Sequence, residues 1–191
     1  MDTRLLLISH AATAAMRAGR FPADDPLDAR GLAEADTARA RLSIPRDAAA
    51  FVSPSVCARE TASVLGLSAV IDEGLADVDY GRWHGRRLAD LGAQAPQDLA
   101  AWTHDPDAAA HGGESFSQVV KRIGNWLDAL EEASCNTQNV VAVTHAPLIR
   151  AAIVHALGAS PQVFSHIEIA PLSVVELRRS RRRWTWWPAS Q

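Results

Sequence analysis

At 191 residues, 48% of them hydrophobic, the chain is long enough for one domain with a substantial core. Its 19 basic and 22 acidic side chains leave a formal net charge of −3, which gives no electrostatic footprint for nucleic acid across the whole surface. Only two cysteines occur, Cys57 and Cys135, with no CxxC pair, which argues against a disulfide scaffold and a cysteine-rich zinc site.

The chain enters an apolar run at Leu5 without a basic leader and long hydrophobic stretch, and no window has the length of a membrane span. The expectation is a soluble cytoplasmic protein with neither membrane nor nucleic-acid partners. The one basic run, Arg178-Arg179-Ser180-Arg181-Arg182-Arg183, reads as a solvated hairpin.

Leu5 to Ile8 read as a central strand, because four consecutive apolar residues suit a strand buried on both faces. Phe21 to Leu27 mixes loop with a short helix, since prolines and paired aspartates interrupt it. From Ala29 to Leu42 a helix is expected, with Leu32, Ala35, Ala38 and Leu42 as its apolar stripe. Ala50 to Ser53 is a second strand, followed by a helix capped by Ser55 and carrying Cys57, Ala58, Ala62 and Leu65. Ala69 to Ile71 is a third strand.

Gly74 to Gly85 suits a loop over a site better than a core element. Ala89 to Trp102 reads as broken helix. After a loop through Gly112-Gly113, Ser115 caps a long helix whose buried side is Phe116, Val119, Val120, Ile123, Trp126, Leu127 and Leu130. Asn139 to Thr144 is a strand, and Pro147 marks the first turn of the next helix. Strand pieces are expected at Val163 to Ile169, Ser173 to Leu177 and Arg183 to Trp187. Trp184, Trp186 and Trp187 either cover a core edge or form a homodimer contact. This alternation points to an α/β sandwich with a mainly parallel centre.

Two of these strands end in a histidine, as Leu7-Ile8-Ser9-His10-Ala11 and Val143-Thr144-His145-Ala146. Parallel sheets bind ligands beyond their carboxyl ends, and an imidazole there can act as nucleophile, acid, base or ligand.

The chain resembles the histidine phosphatase superfamily, the phosphoglycerate mutase-like phosphatases. Leu5 to Ala11 is similar to the strand and turn of the family's Arg-His-Gly signature. Ser53-Pro54 with Glu60-Thr61-Ala62 resembles the segment after the second strand. Leu75-Ala76-Asp77 with Tyr80-Gly81-Arg82-Trp83-His84-Gly85 resembles its acid-bearing loop; Gly112-Gly113-Glu114-Ser115, the start of its long helix; and Val143 to Ala146 with Ile149-Arg150, the second histidine segment. The resemblance implies one domain over residues 1–191, a three-layer α/β/α sandwich whose mainly parallel sheet has an antiparallel edge.

The resemblance also implies roles. His10 is the nucleophile, His145 contacts the phosphoryl group, and Asp77 is the proton donor. Arg17, Ser9, Cys57 and Ala146 occupy phosphate-binding positions, and His84, Glu114, Arg59 and Arg150 are accessory candidates. Ser9 and Cys57 stand where the family has arginines, and Ala11 and Ala146 replace glycines, so the signature is degenerate. The leading expectation is hydrolysis of a small phosphorylated metabolite through phosphohistidine, without metal or cofactor. The alternatives are a weakened member that binds an anionic metabolite or acts as a scaffold, a site for a less charged substrate, and, least favoured, a metal-dependent hydrolase using His10, Asp77 and His145.

Overall fold

The alternation of side chains along Leu5–Ile8 organises both sides of the central sheet. β1 (Thr3–Ser9) pairs in parallel with β4 (Asn139–Thr144) and antiparallel with β5 (Val174–Ser180). The computed structural model describes residues 3–133, 138–180 and 183–188; Cys135, Arg181 and Arg182 lie outside this set. With β2 (Ala49–Val52), β3 (Val70–Ile71) and β6 (Arg183–Trp187), the sheet order is β3-β2-β4-β1-β5-β6. β1 to β4 run parallel and β5 reverses, which gives the antiparallel edge.

Leu5 and Leu7, with Val140, Ala142, Val175 and Leu177, join one buried cluster with residues of α6 (Phe116–Ala133) and α7 (Ala146–Leu157). Their neighbours Leu6, Ile8, Val141 and Val143 point the other way, to Ala58 and Ala62 of α3 (Val56–Val64) and to Leu65. This period-two split makes the three layers, each fully buried aliphatic side chain contributing about 1.5–3 kcal/mol. Among the described residues no helix is long and apolar enough to cross a membrane.

Ser115 starts α6 as expected: its hydroxyl accepts from Gln118 N at 3.3 Å while Gln118 Oε1 accepts from Ser115 N at 2.8 Å. Val119, Ile123, Trp126, Leu127 and Leu130 are buried, with Phe116 and Val120 partly so. α7 opens with Pro147 in its first turn and ends at Gly158 in the left-handed region.

Several elements differ from the sequence expectations. α1 is only Ala14–Arg17, and α2 spans Ala29–Arg39, burying Gly31 and Ala35 while Leu32 faces solvent. The small residue at 31 decides this face, because a Cβ there would lie 2.4 Å from the Ala12 carbonyl oxygen. The broken helix is α4 (Leu88–Gln94) and α5 (Pro96–His104), parted at Ala95. Val163 to Ile169 is not a strand: Ser160 caps a 3₁₀ turn over Pro161–His166 that stacks Phe164 on Phe116 at 4.9 Å. The Gly74 to Gly85 segment is core as well as loop, with Leu75, Val78, Tyr80 and Trp83 buried.

Candidate active site

β1, β2 and β4 are parallel, so their carboxyl ends open on one edge of the sheet. There His10 and His145 meet with ring centroids 4.8 Å apart at an interplanar angle of 63°. Both line a cavity of about 470 Å³ with Thr13, Asp24, Asp25, Ser55, Cys57, Asp77, Asp79, Tyr80, His84 and Ala146, among others.

Each imidazole is held by a neighbouring group. The Ala11 carbonyl lies 2.7 Å from His10 Nδ1; a carbonyl only accepts, so Nδ1 holds the proton and Nε2 keeps its lone pair. Ala11 N is itself tied to Thr61 Oγ1 at 3.0 Å. His145 Nε2 lies 2.8 Å from the buried Ser53 hydroxyl, and its Nδ1 faces Asp77 Oδ2 at 3.2 Å.

Arg122 on α6 holds the loop that carries Asp77. Its guanidinium forks onto both Glu114 oxygens at 2.9 and 2.7 Å and donates to the carbonyls of Gly74, Ala76 and Asp77. Thr144 Oγ1 adds a bond to the Leu75 carbonyl at 2.9 Å. Asp77 Oδ1 accepts from Val78 N at 2.8 Å.

Burial governs the protonation states. It lowers His10 to about 4, aided by the neighbouring His145, and lowers His145 to about 3, aided by Arg122. Burial raises Asp77 to about 6 against the pull of the Val78 N–H, His10 and Arg122. Burial and the Asp77 charge push the Cys57 thiol up to about 12. At neutral pH both histidines and the thiol are therefore uncharged, and among the described residues no lysine or arginine lines the cavity.

The structure brings His10, His145, Asp77, His84, Cys57 and Ala146 to one space, and leaves the other candidates outside its lining. Arg17 is at the surface, bound by Asp28 at 3.2 Å and Glu34 at 3.4 Å, acids that neutralise it locally. Ser9 is buried in β1, and Arg59 is exposed on α3. Glu114 is committed to Arg122, and Arg150 Nε donates to the Ile167 carbonyl at 2.8 Å.

Sequence reasoning missed Arg122, Ser53, Asp24 and Asp25. Only Arg122 had a local signal, being a cation on the helix that follows Glu114; the others depend on long-range folding. Asp24 adopts φ of 59°, and its Oδ1 accepts from Val56 N at 2.8 Å, capping α3 beside the cavity.

Comparisons with known proteins agree with this architecture. The model of the histidine phosphatase superfamily (branch 1) matches residues 5–187. A bifunctional protein of Mycobacterium tuberculosis is 30% identical over 91% of this chain, which spans about half the length of that relative. Phosphoserine phosphatase 1 of Hydrogenobacter thermophilus is 26% identical over 93% of this chain and 88% of its own. The native structure of a mycobacterial glucosyl-3-phosphoglycerate phosphatase superposes with a TM-score of 0.88 at 25% identity, covering both chains completely. The mixed α/β sandwich, the order of its motifs and the match over nearly its whole length show that the chain belongs to the histidine phosphatase superfamily.

Proposed function

We propose that this chain is a phosphomonoesterase that passes the phosphoryl group of a small metabolite to His10 and then to water. The observation that carries the reading is the His10 imidazole, whose Nδ1–H is spent on the Ala11 carbonyl so that Nε2 is left as a nucleophile in the cavity that Asp77 also lines. The phosphatase relatives support the reaction class.

In the first step Nε2 bonds to phosphorus as the bond to the alcohol oxygen breaks, and the Asp77 carboxyl gives that oxygen its proton. In the second, the Asp77 carboxylate takes a proton from water, the water oxygen bonds to phosphorus, and the P–N electron pair returns to His10. The N-termini of α3 and α7 adjoin the cavity at Cys57 and Ala146, where the positive ends of the helix dipoles favour the phosphoryl oxygens.

The acids Asp24, Asp25 and Asp79 in the lining, with no lysine or arginine beside them among the described residues, favour an ester whose alcohol portion is neutral or positively charged. The same lack of cations favours, as a second reading, a binding or scaffold role with little turnover.

Phosphate release from a panel of phosphomonoesters, with anionic, neutral and amine-bearing alcohols, tests the reading on chelator-treated protein beside His10→Ala. Release by the wild type that is abolished in the variant is the expected result. Equal release by both removes His10 as nucleophile, and no turnover on any ester favours the second reading.

A further inference from the structure

We infer that His10, Cys57 and His145 form a binding site for a thiophilic divalent cation, with Zn²⁺ as its fitting occupant. One ligand atom from each of the three buried side chains lies within 4.8 Å of the other two. A zinc ion bound at about 2.0 Å by nitrogen and about 2.3 Å by sulfur holds its ligands roughly 3.5 Å apart, so modest side-chain rotation closes the set.

The surroundings are those of metal-binding imidazoles. Each histidine has one nitrogen occupied by a neighbour, His10 Nδ1 by the Ala11 carbonyl and His145 Nε2 by Ser53, which leaves His10 Nε2 and His145 Nδ1 for a ligand. His145 Nδ1 is the independent indicator: it is fully buried and makes no hydrogen bond. Asp77 Oδ2 lies 3.2 Å from it, a carboxylate beside the same nitrogen whose charge favours a bound cation.

Charge and donor type point the same way. Among the described residues the cavity carries Asp24, Asp25, Asp77 and Asp79 and no lysine or arginine, so it attracts a cation. One sulfur and two imidazoles select zinc or copper over magnesium or calcium. The Cys57 thiol gives up its proton as the metal–sulfur bond forms, and this proton passes to solvent.

A bound cation takes the His10 lone pair that phosphoryl transfer needs. Metal occupancy and the phosphohistidine route therefore exclude each other, and Zn²⁺ acts as an inhibitor of the chelator-treated enzyme. Cation binding itself is read without turnover, so its failure is separate from failure of the phosphatase reading.

The test is titration of chelator-treated protein with Co²⁺ as a spectroscopic substitute for Zn²⁺. Expected are a thiolate-to-cobalt charge-transfer band that saturates at one equivalent, its bleaching by Zn²⁺, its loss in Cys57→Ser, its survival in Cys135→Ser, and at least about tenfold weaker binding in His145→Ala. Absence of the band in the wild type, or its persistence in Cys57→Ser, overturns the site. Zinc K-edge absorption on the wild type needs no variant and guards against a Cys57→Ser protein that fails to fold: a shell with one sulfur and two imidazoles is expected, and one of nitrogen and oxygen alone overturns the inference.

Discussion

His145 Nδ1 lies 3.2 Å from Asp77 Oδ2, a close pairing of an imidazole and a carboxyl group that both avoid charge. Burial lowers the imidazole to about 3 and raises the carboxyl to about 6, so on acidification the carboxyl accepts a proton first. The pair thus stores its proton on Asp77, which can give it to a leaving oxygen, while Arg122 fixes the loop from behind.

The pH dependence of the proposed reaction follows from its two reacting groups. His10 attacks only when neutral, so activity rises with pH through about 4; Asp77 donates only when protonated, so activity falls as pH rises through about 6. The charged and titratable groups acting on them are His145, His84 and Arg122, with Cys57 also lining the cavity. In chelated protein kcat/KM is expected to peak near pH 5, in a bell whose alkaline limb disappears in Asp77→Asn along with most of the activity. A profile that climbs steadily to pH 8 would remove Asp77 as the acid.

Replacing Arg122 by alanine leaves the half-buried Glu114 carboxylate and three loop carbonyls without their donor. The cost expected is about 1–3 kcal/mol, with a fall in kcat as Asp77 loses its position. Arg122→Lys restores charge without the fork and is expected to recover stability better than kcat. Chemical denaturation beside steady-state kinetics separates the two effects, and unchanged kcat in Arg122→Ala would deny the positioning role.

Gly113 packs against backbone, where a Cβ would come within 2.0 Å of the Asp79 carbonyl oxygen. Gly113→Ala must therefore displace the loop between Asp77 and Gly81. A loss of about 2 kcal/mol or more is expected, lowering the melting temperature by about 4–8 °C for a chain of this size. Calorimetry that finds no shift would contradict the packing.

Cys57 lines the cavity, at a position where the resemblance to the family implies an arginine. Cys57→Arg is expected to raise kcat/KM on a dianionic ester about tenfold by restoring a fixed cation, at a stability cost of about 1–3 kcal/mol because Cys57 packs with Ala11, Leu27 and Ala35. Cys57→Ala gives the control, with no gain. Equal kinetics in all three proteins would show that charge at this position does not limit the reaction.

The sheet was legible because its strands are short apolar runs with clear ends; β6 occupies Arg183–Trp187 as expected, and β1 and β4 extend little beyond the apolar residues themselves. The histidines were legible for the same reason, since each terminates such a run. Val163 to Ile169 misled because its apolar residues suggested a strand, while Ser160 and Pro161 start a 3₁₀ turn. Arg17 misled because spacing from His10 does not reveal Asp28 and Glu34, which draw its guanidinium away from the cavity. The acidic rim was hidden because Asp24 and Asp25 come from one loop and Asp79 from another, and only the fold sets them around the same space.

The most direct measurement is rapid acid-free quenching of chelator-treated protein during turnover of an amine-bearing phosphomonoester, followed by peptide mapping for the phosphoryl group. Phosphate on His10, formed and lost at rates that match turnover and absent from His10→Ala, is the expected result. Steady phosphate release with no phosphoryl group on His10 would contradict the covalent route.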